Sequence, residues 1–433
     1  MGVIKSVVTF VLLGLAASAL AGPDIQTWKL DNGTKVLFVP ARDLPMVQLS
    51  LVFDAGSARD PEHRSGLAGF VAGMLEEGAA GLTANQVADG FESLGAEFSA
   101  GVDNDMAMIN LRSLADSDYL DPAIELMQKL VTRPDFPEAS LARERARAIV
   151  GFARARQQPD YIGKIRFFDA MYGKHPYAHQ TEGDEASVKT IAVDDLKQFH
   201  KQFYVGNNAV LAIVGDLSGK AARTLANRLA GTLPAGNSAT DIPKVSLPAA
   251  SYKKHIPFQS TQTHIFIGQP GMSRTDPDYF SLYVGNYILG GGGFVSRLMD
   301  QVREKQGLAY SVYSYFWPLR EPGPFQIGMQ TKNSERDKAL ALLDRILRDF
   351  VKNGPTDAEL KAAKQNLTGG FPMRIDSNKK ISGYLAVIGF YDLPLDYIDR
   401  FIGNVEAVTV ESIRDAFRRR VHPDKMVTIT VGG

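Results

Sequence analysis

At 433 residues the chain is too long for one ordinary core and implies two to four domains. Its 48 Lys and Arg balance its 48 Asp and Glu, so no net field draws it to nucleic acid or an anionic membrane, and 45% hydrophobic against 22% charged residues marks a globular chain. It has no cysteine, which excludes disulfides, thiol catalysis and thiolate-bound metal.

The chain opens MGVIKSVVTFVLLGLAASALAGP, with one lysine ahead of a mostly apolar run from Val7 to Leu20 and a small-x-small cleavage pattern at Ala19-Leu20-Ala21. That run is too short to span a bilayer and reads as a secretory signal peptide, residues 1–21. The mature protein is expected to start near Gly22, exported and soluble, most simply in a bacterial periplasm. No later segment reads as a membrane span. WKLDNGTKVLFVP follows, with Asn32-Gly33 between two strand-like runs, a hairpin signal. MVQLSLVFDAG is a further strand. GLAGFVAGML, Gly66 to Leu75, reads as a core helix, yet it carries glycines at 66, 69 and 73. A glycine inside a helix costs about 1 kcal/mol against alanine. Gly69 and Gly73, four residues apart, share one face. A second helix enters at Thr83, AEFSAGVDNDMAMINLRSL alternates as a strand pair, and helical patterns cover 119–132, 137–157 and 159–172. The helix VDDLKQFHKQFY and the strand NNAVLAIVGDL complete a unit over 22–234.

Residues 235–251, rich in Pro, Ala and Ser, read as a linker. The chain then ends on VESIRDAFRRRVHPDKMVTITVGG, again helix, turn and β-rich strand. The matching order and spacing predict an α+β fold of two homologous halves, 22–234 and 252–433, each an α/β sandwich with a mixed sheet flanked by helices. In the second half, Gly290 to Gly293 follow an apolar helix and precede another. Phosphate cradling is weakly signalled, because Val295 and Ser296 stand where a third fingerprint glycine would fall. A flexible or close-packed loop is the plainer reading. His175 and His179 in HPYAH have metal-ligand spacing, but Pro176 makes that stretch a turn. His63, Glu76 and Glu77 read as solvated surface residues.

GLAGFVAGML with Gly78 resembles the zinc helix of the inverted-zincin peptidases, the insulinase, pitrilysin and mitochondrial processing peptidase family, which carry H-x-x-E-H in that frame. Two imidazoles spaced i, i+4 hold zinc there and the Glu serves as general base. In this chain the first histidine falls on Gly69, the glutamate on Ala72 and the second histidine on Gly73. The family's third ligand falls near Gly151, and residues 145–159 contain no acid and four arginines. The resemblance therefore implies a clam-shell half without zinc. It also implies that the glycines point into a reaction chamber where no packing demands a side chain. LGGGGFVSRL followed by Arg303-x6-Tyr310 resembles the segment in which the family's Arg and Tyr hold the substrate backbone near the scissile bond. By this resemblance Arg303 and Tyr310 are substrate-binding and no residue is catalytic. Zinc is expected only in a partner, an H-x-x-E-H homologue forming a heterodimer. The alternative is a stand-alone peptide-binding or structural homologue.

Overall fold

The computed structural model describes residues 22–433, so the expected signal peptide, 1–21, lies outside the described residues. Strands β1 (Gln26–Lys29), β2 (Lys35–Pro40) and β3 (Met46–Phe53) open the first half, the turn between β1 and β2 falling at Asn32-Gly33. Gly33 sits there at φ 92, in the left-handed region glycine favours. A small hairpin of β4 (Gly78–Ala79) and β5 (Leu82–Thr83) follows, and then the pair β6 (Glu97–Val102) and β7 (Ala107–Leu114). Strand β8, Ala209–Gly215, is a Val/Ile/Leu/Ala run buried at every position. Such a run belongs between two strands and under helices on both faces. It lies between β2, parallel, and β3, antiparallel, in a sheet of order β1-β2-β8-β3-β7-β6.

The second half holds β9 (Tyr252–Pro257), β10 (Gln262–Pro270), β11 (Val312–Phe316), β12 (Pro324–Lys332) and β13 (Val427–Gly432). Its order is β9-β13-β10-β12-β11, with β9 parallel to β13 and the other pairs antiparallel. Without β1, the two orders are the same. In each half the first strand runs parallel to the last, and a hairpin forms the far edge. The repeat expected from the sequence is thus present in the topology.

The halves exchange helices, which the sequence pattern did not anticipate. Helix Pro159–Tyr172 of the first half packs on β10 and β13 of the second. Helix Asn378–Phe390 of the second half packs on β2, β3 and β8 of the first. Both crossings need a glycine. A Cβ on Gly163 would collide with the Phe266 ring, and one on Gly389 with Val210 and Leu37. The exchange joins the cores, so Leu37, Val210, Ala212 and Val214 share one apolar cluster with Leu385 and Ile388. A buried carboxyl fastens the seam: Asp105 accepts from Tyr177 Oη (2.6 Å), from Tyr391 Oη (2.8 Å) and from the Arg320 backbone N–H (2.7 Å).

Candidate functional site

Helix Leu67–Gly73 starts from Gly66 at φ 94. Its first donors are met by Asp60, whose Oδ2 accepts from Gly66 N–H and Oδ1 from Ala68 N–H, both at 2.7 Å. Burial pushes the Asp60 carboxyl up to about 7, and these two bonds oppose the rise. Along the helix the degenerate positions differ from one another. Gly73 is exposed and a Cβ there would meet nothing within 4 Å, and the same holds for Gly151 in helix Glu138–Ala155. Gly69 is only half-exposed, and a Cβ there would lie 3.0 Å from the Thr181 carbonyl oxygen. Ala72 is fully buried. The expectation that no packing demands a side chain at the glycines therefore fits the open space at Gly73 and Gly151 and is corrected at Gly69. At Gly69 a neighbouring backbone constrains the site, and Ala72 belongs to the core.

The residues present do not fit a zinc ion. Glycine and alanine carry no donor, and among the described residues no three or more of His, Asp and Glu gather in one place. Glu77 is an ion-pair partner of Arg143, while Glu76 and His63 are exposed. His175 is used structurally. Its Nδ1 accepts from Tyr177 N–H (3.1 Å), its Nε2 lies 2.8 Å from the Pro243 carbonyl, and it caps the turn Pro176–Ala178.

Arg303 and Tyr310 are brought together. The Arg303 guanidinium lies 5.1 Å from the Tyr310 ring centre and 4.8 Å from that of Phe294, close enough for cation–π attraction to both. Glu304 is its carboxylate neighbour, at 3.5 Å. Tyr310 is 86% exposed and Phe294 72% exposed, although both rings are large and apolar. They rim a cavity of about 680 Å³, the same cavity that Arg274, Tyr279, Tyr283 and Arg374 line. Gly69, Gly73 and Gly151 do not line it. The glycine segment forms its wall. Tyr287–Gly291 is a π-helical turn continuing helix Tyr279–Asn286. A Cβ on Gly290 would strike Ser314 of β11, and one on Gly292 would lie 2.8 Å from the Tyr287 carbonyl. Gly290 and Gly292 are thus close-packed, whereas at Gly293, φ 61, a Cβ would meet nothing within 4 Å. Arg274 and Arg374 were not singled out in the sequence, where each is an isolated basic residue in a polar loop. Only the fold sets them on one cavity.

The insulinase (peptidase family M16) profile matches residues 36–185, and the peptidase M16 inactive domain profile matches residues 190–367. The chain is 29% identical over 412 residues to the non-peptidase homologue YmxG of Helicobacter pylori, covering 94% of this chain and 92% of that protein. Among solved structures, a peptidase M16 inactive domain from Pseudomonas fluorescens is 42% identical, with a TM-score of 0.91 over 94% of this chain and 98% of its own. A protease from Helicobacter pylori shares the fold at 19% identity, with a TM-score of 0.86 over 95% of this chain and 100% of its own. With this likeness along nearly its whole length, the chain belongs to the peptidase M16 family as an inactive member.

Proposed function

We propose that this chain is the non-catalytic, substrate-binding subunit of an exported two-chain peptidase, in which it faces an H-x-x-E-H partner that holds the zinc. The observation that carries the reading is the Arg303–Tyr310 pair, a half-buried guanidinium beside an exposed ring on the rim of a large cavity, in a chain whose described residues gather no cluster of metal ligands. A guanidinium and a phenol present donors in fixed directions, suited to the carbonyls of an extended peptide. Tyr310 also offers an apolar face to a substrate side chain. Their role is to bind and orient the backbone. The proton transfers and the metal chemistry belong to the partner.

The test is reconstitution with an H-x-x-E-H homologue, followed by peptidase assays of Arg303→Ala and Tyr310→Phe in complexes shown to co-elute. Each variant is expected to lower kcat/KM by about one to three orders of magnitude, the range of a lost hydrogen bond near a reacting carbonyl. Arg303→Lys should not restore it, because an ammonium lacks the planar fork. Unchanged activity in an intact complex would reduce the pair to a structural corner and the chain to a scaffold.

A further inference from the structure

Beyond the rim pair, the cavity carries one sign of charge. Arg303, Arg274 and Arg374 line it, and no Asp or Glu does. An adjoining cavity of about 510 Å³ shares Arg274 and Arg374 and adds Lys380, again with no acidic lining residue. In a chain of zero net charge this segregation calls for a reason. Several other arginines are paired with a carboxylate, among them Arg59 with Asp54, Arg297 with Glu359 and Arg420 with Asp276. Arg274 and Arg374 form no ion pair among the described residues. They stand at the two ends of a tyrosine stack. Tyr279 and Tyr283 are nearly parallel, 6.1 Å between centres, with the Arg274 guanidinium 6.0 Å from Tyr279 and that of Arg374 5.9 Å from Tyr283. Arg274 is also held 5.4 Å from the Tyr391 ring, and its Nε has no hydrogen-bond partner although it is buried. The Asp103 carboxyl is close enough to attract Arg274 but makes no hydrogen bond or ion pair with it; its Oδ1 accepts from the backbone N–H groups of Asp105 (2.8 Å) and Met106 (2.7 Å).

Arg274 donates to the Tyr279 hydroxyl (3.4 Å) and Arg374 to the Tyr283 and Tyr384 hydroxyls, which leaves each five-donor guanidinium with donors to spare; such a group held on aromatic faces is suited to a planar anion, and a carboxylate takes two parallel N–H bonds from its fork. We infer that the cleft beside Arg303 and Tyr310 is a carboxylate subsite, which selects peptides bearing an acidic side chain or a free C-terminus at the end that reaches Arg274 and Arg374. This deepens the peptide-binding reading proposed above and rests on it.

The experiment is calorimetric titration of the whole mature chain with four unstructured peptides of one sequence. They carry Glu or Gln near the C-terminus and end in a free acid or an amide. The Glu or free-acid forms are expected to bind at least about tenfold more tightly than the Gln amide, and the advantage should shrink with added salt. The Glu amide and the Gln free acid separate the side-chain carboxylate from the terminal one. Arg374→Gln, at an exposed position, and Arg274→Gln should each remove most of the preference for the Glu and free-acid forms over the Gln amide. Equal affinity for all four peptides, or a preference that survives both substitutions, overturns the carboxylate subsite. If all four bind equally and Arg303→Ala weakens all of them, the peptide-binding reading stands without it. If none binds, the subsite is overturned, and the partner assay alone then judges the rim pair.

Discussion

Asp103 shows how a single side chain at the seam sets a pH response. Burial and the neighbouring Asp105 push its carboxyl up to about 6, against the two backbone hydrogen bonds on its Oδ1. A carboxyl whose folded pKa exceeds its unfolded value, 3.8, takes up a proton on folding, so its contribution is fully present below about pH 4 and is lost as pH rises through 6. Asp103→Asn keeps the accepting Oδ1 and removes the ionisation. The variant should therefore gain on the unaltered protein between pH 4 and 6, by about 1–3 kcal/mol, and hold that gain at higher pH. Denaturant melts of both proteins across this range measure it, and parallel curves would show that Asp103 titrates normally. The same scale explains what the sequence revealed of the site. Gly69, Ala72, Gly73, Arg303 and Tyr310 could be singled out in the sequence because each falls at a set place in the motif frame it resembles. Asp103, Asp105, Arg274 and Arg374 could not, because their meaning lies in what surrounds them. Ala72 is buried, which the motif frame alone does not state.

Most elements could be read from local pattern. The Asn32-Gly33 hairpin, the helix entered at Thr83 through a capping box with Gln86, and the buried run of β8 each carry a local cause. Helices Pro159–Tyr172 and Asn378–Phe390 gave less away. Asn378–Phe390 buries a broad arc and Pro159–Tyr172 buries Gly163, Phe167 and Met171 along one stripe, but neither pattern says which sheet the buried face meets. Their glycines hold the missing information. Gly163→Ala should cost about 1–3 kcal/mol, because the added methyl drives the helix off Phe266 in a packed core. Gly151→Ala is the counter-example. It lies within helix Glu138–Ala155, a Cβ there meets nothing within 4 Å, and the substitution should stabilise by up to about 1 kcal/mol. Thermal or denaturant melts of the pair decide the matter. A stabilised Gly163→Ala would mean that the crossing has slack, and a destabilised Gly151→Ala would reveal a demand on that exposed face.

At the scale of the whole molecule, the duplicated sheets do not amount to two separable bodies. Each sheet has one face completed by a helix from the other half, and the Asp105 carboxyl binds donors from both. Residues 22–234 and 252–433 expressed separately should each lack a cooperative melt, and mixing or co-expression should restore one. Two independently folded fragments, each with sharp near-ultraviolet dichroism, would refute this. The exchange also bears on the order in which the chain can fold as it is made. Proteins of two domains usually fold the first as it leaves the ribosome. Here β2, β3 and β8 must wait for Asn378–Phe390, encoded far downstream, before that face of the sheet is dry. Contacts so distant along the chain slow folding through the entropy of closing the loop between them. The nascent protein would thus stay open until synthesis is almost complete, and a holdase that shields the apolar face of β8 should raise its yield more than a faster folding rate in either sheet.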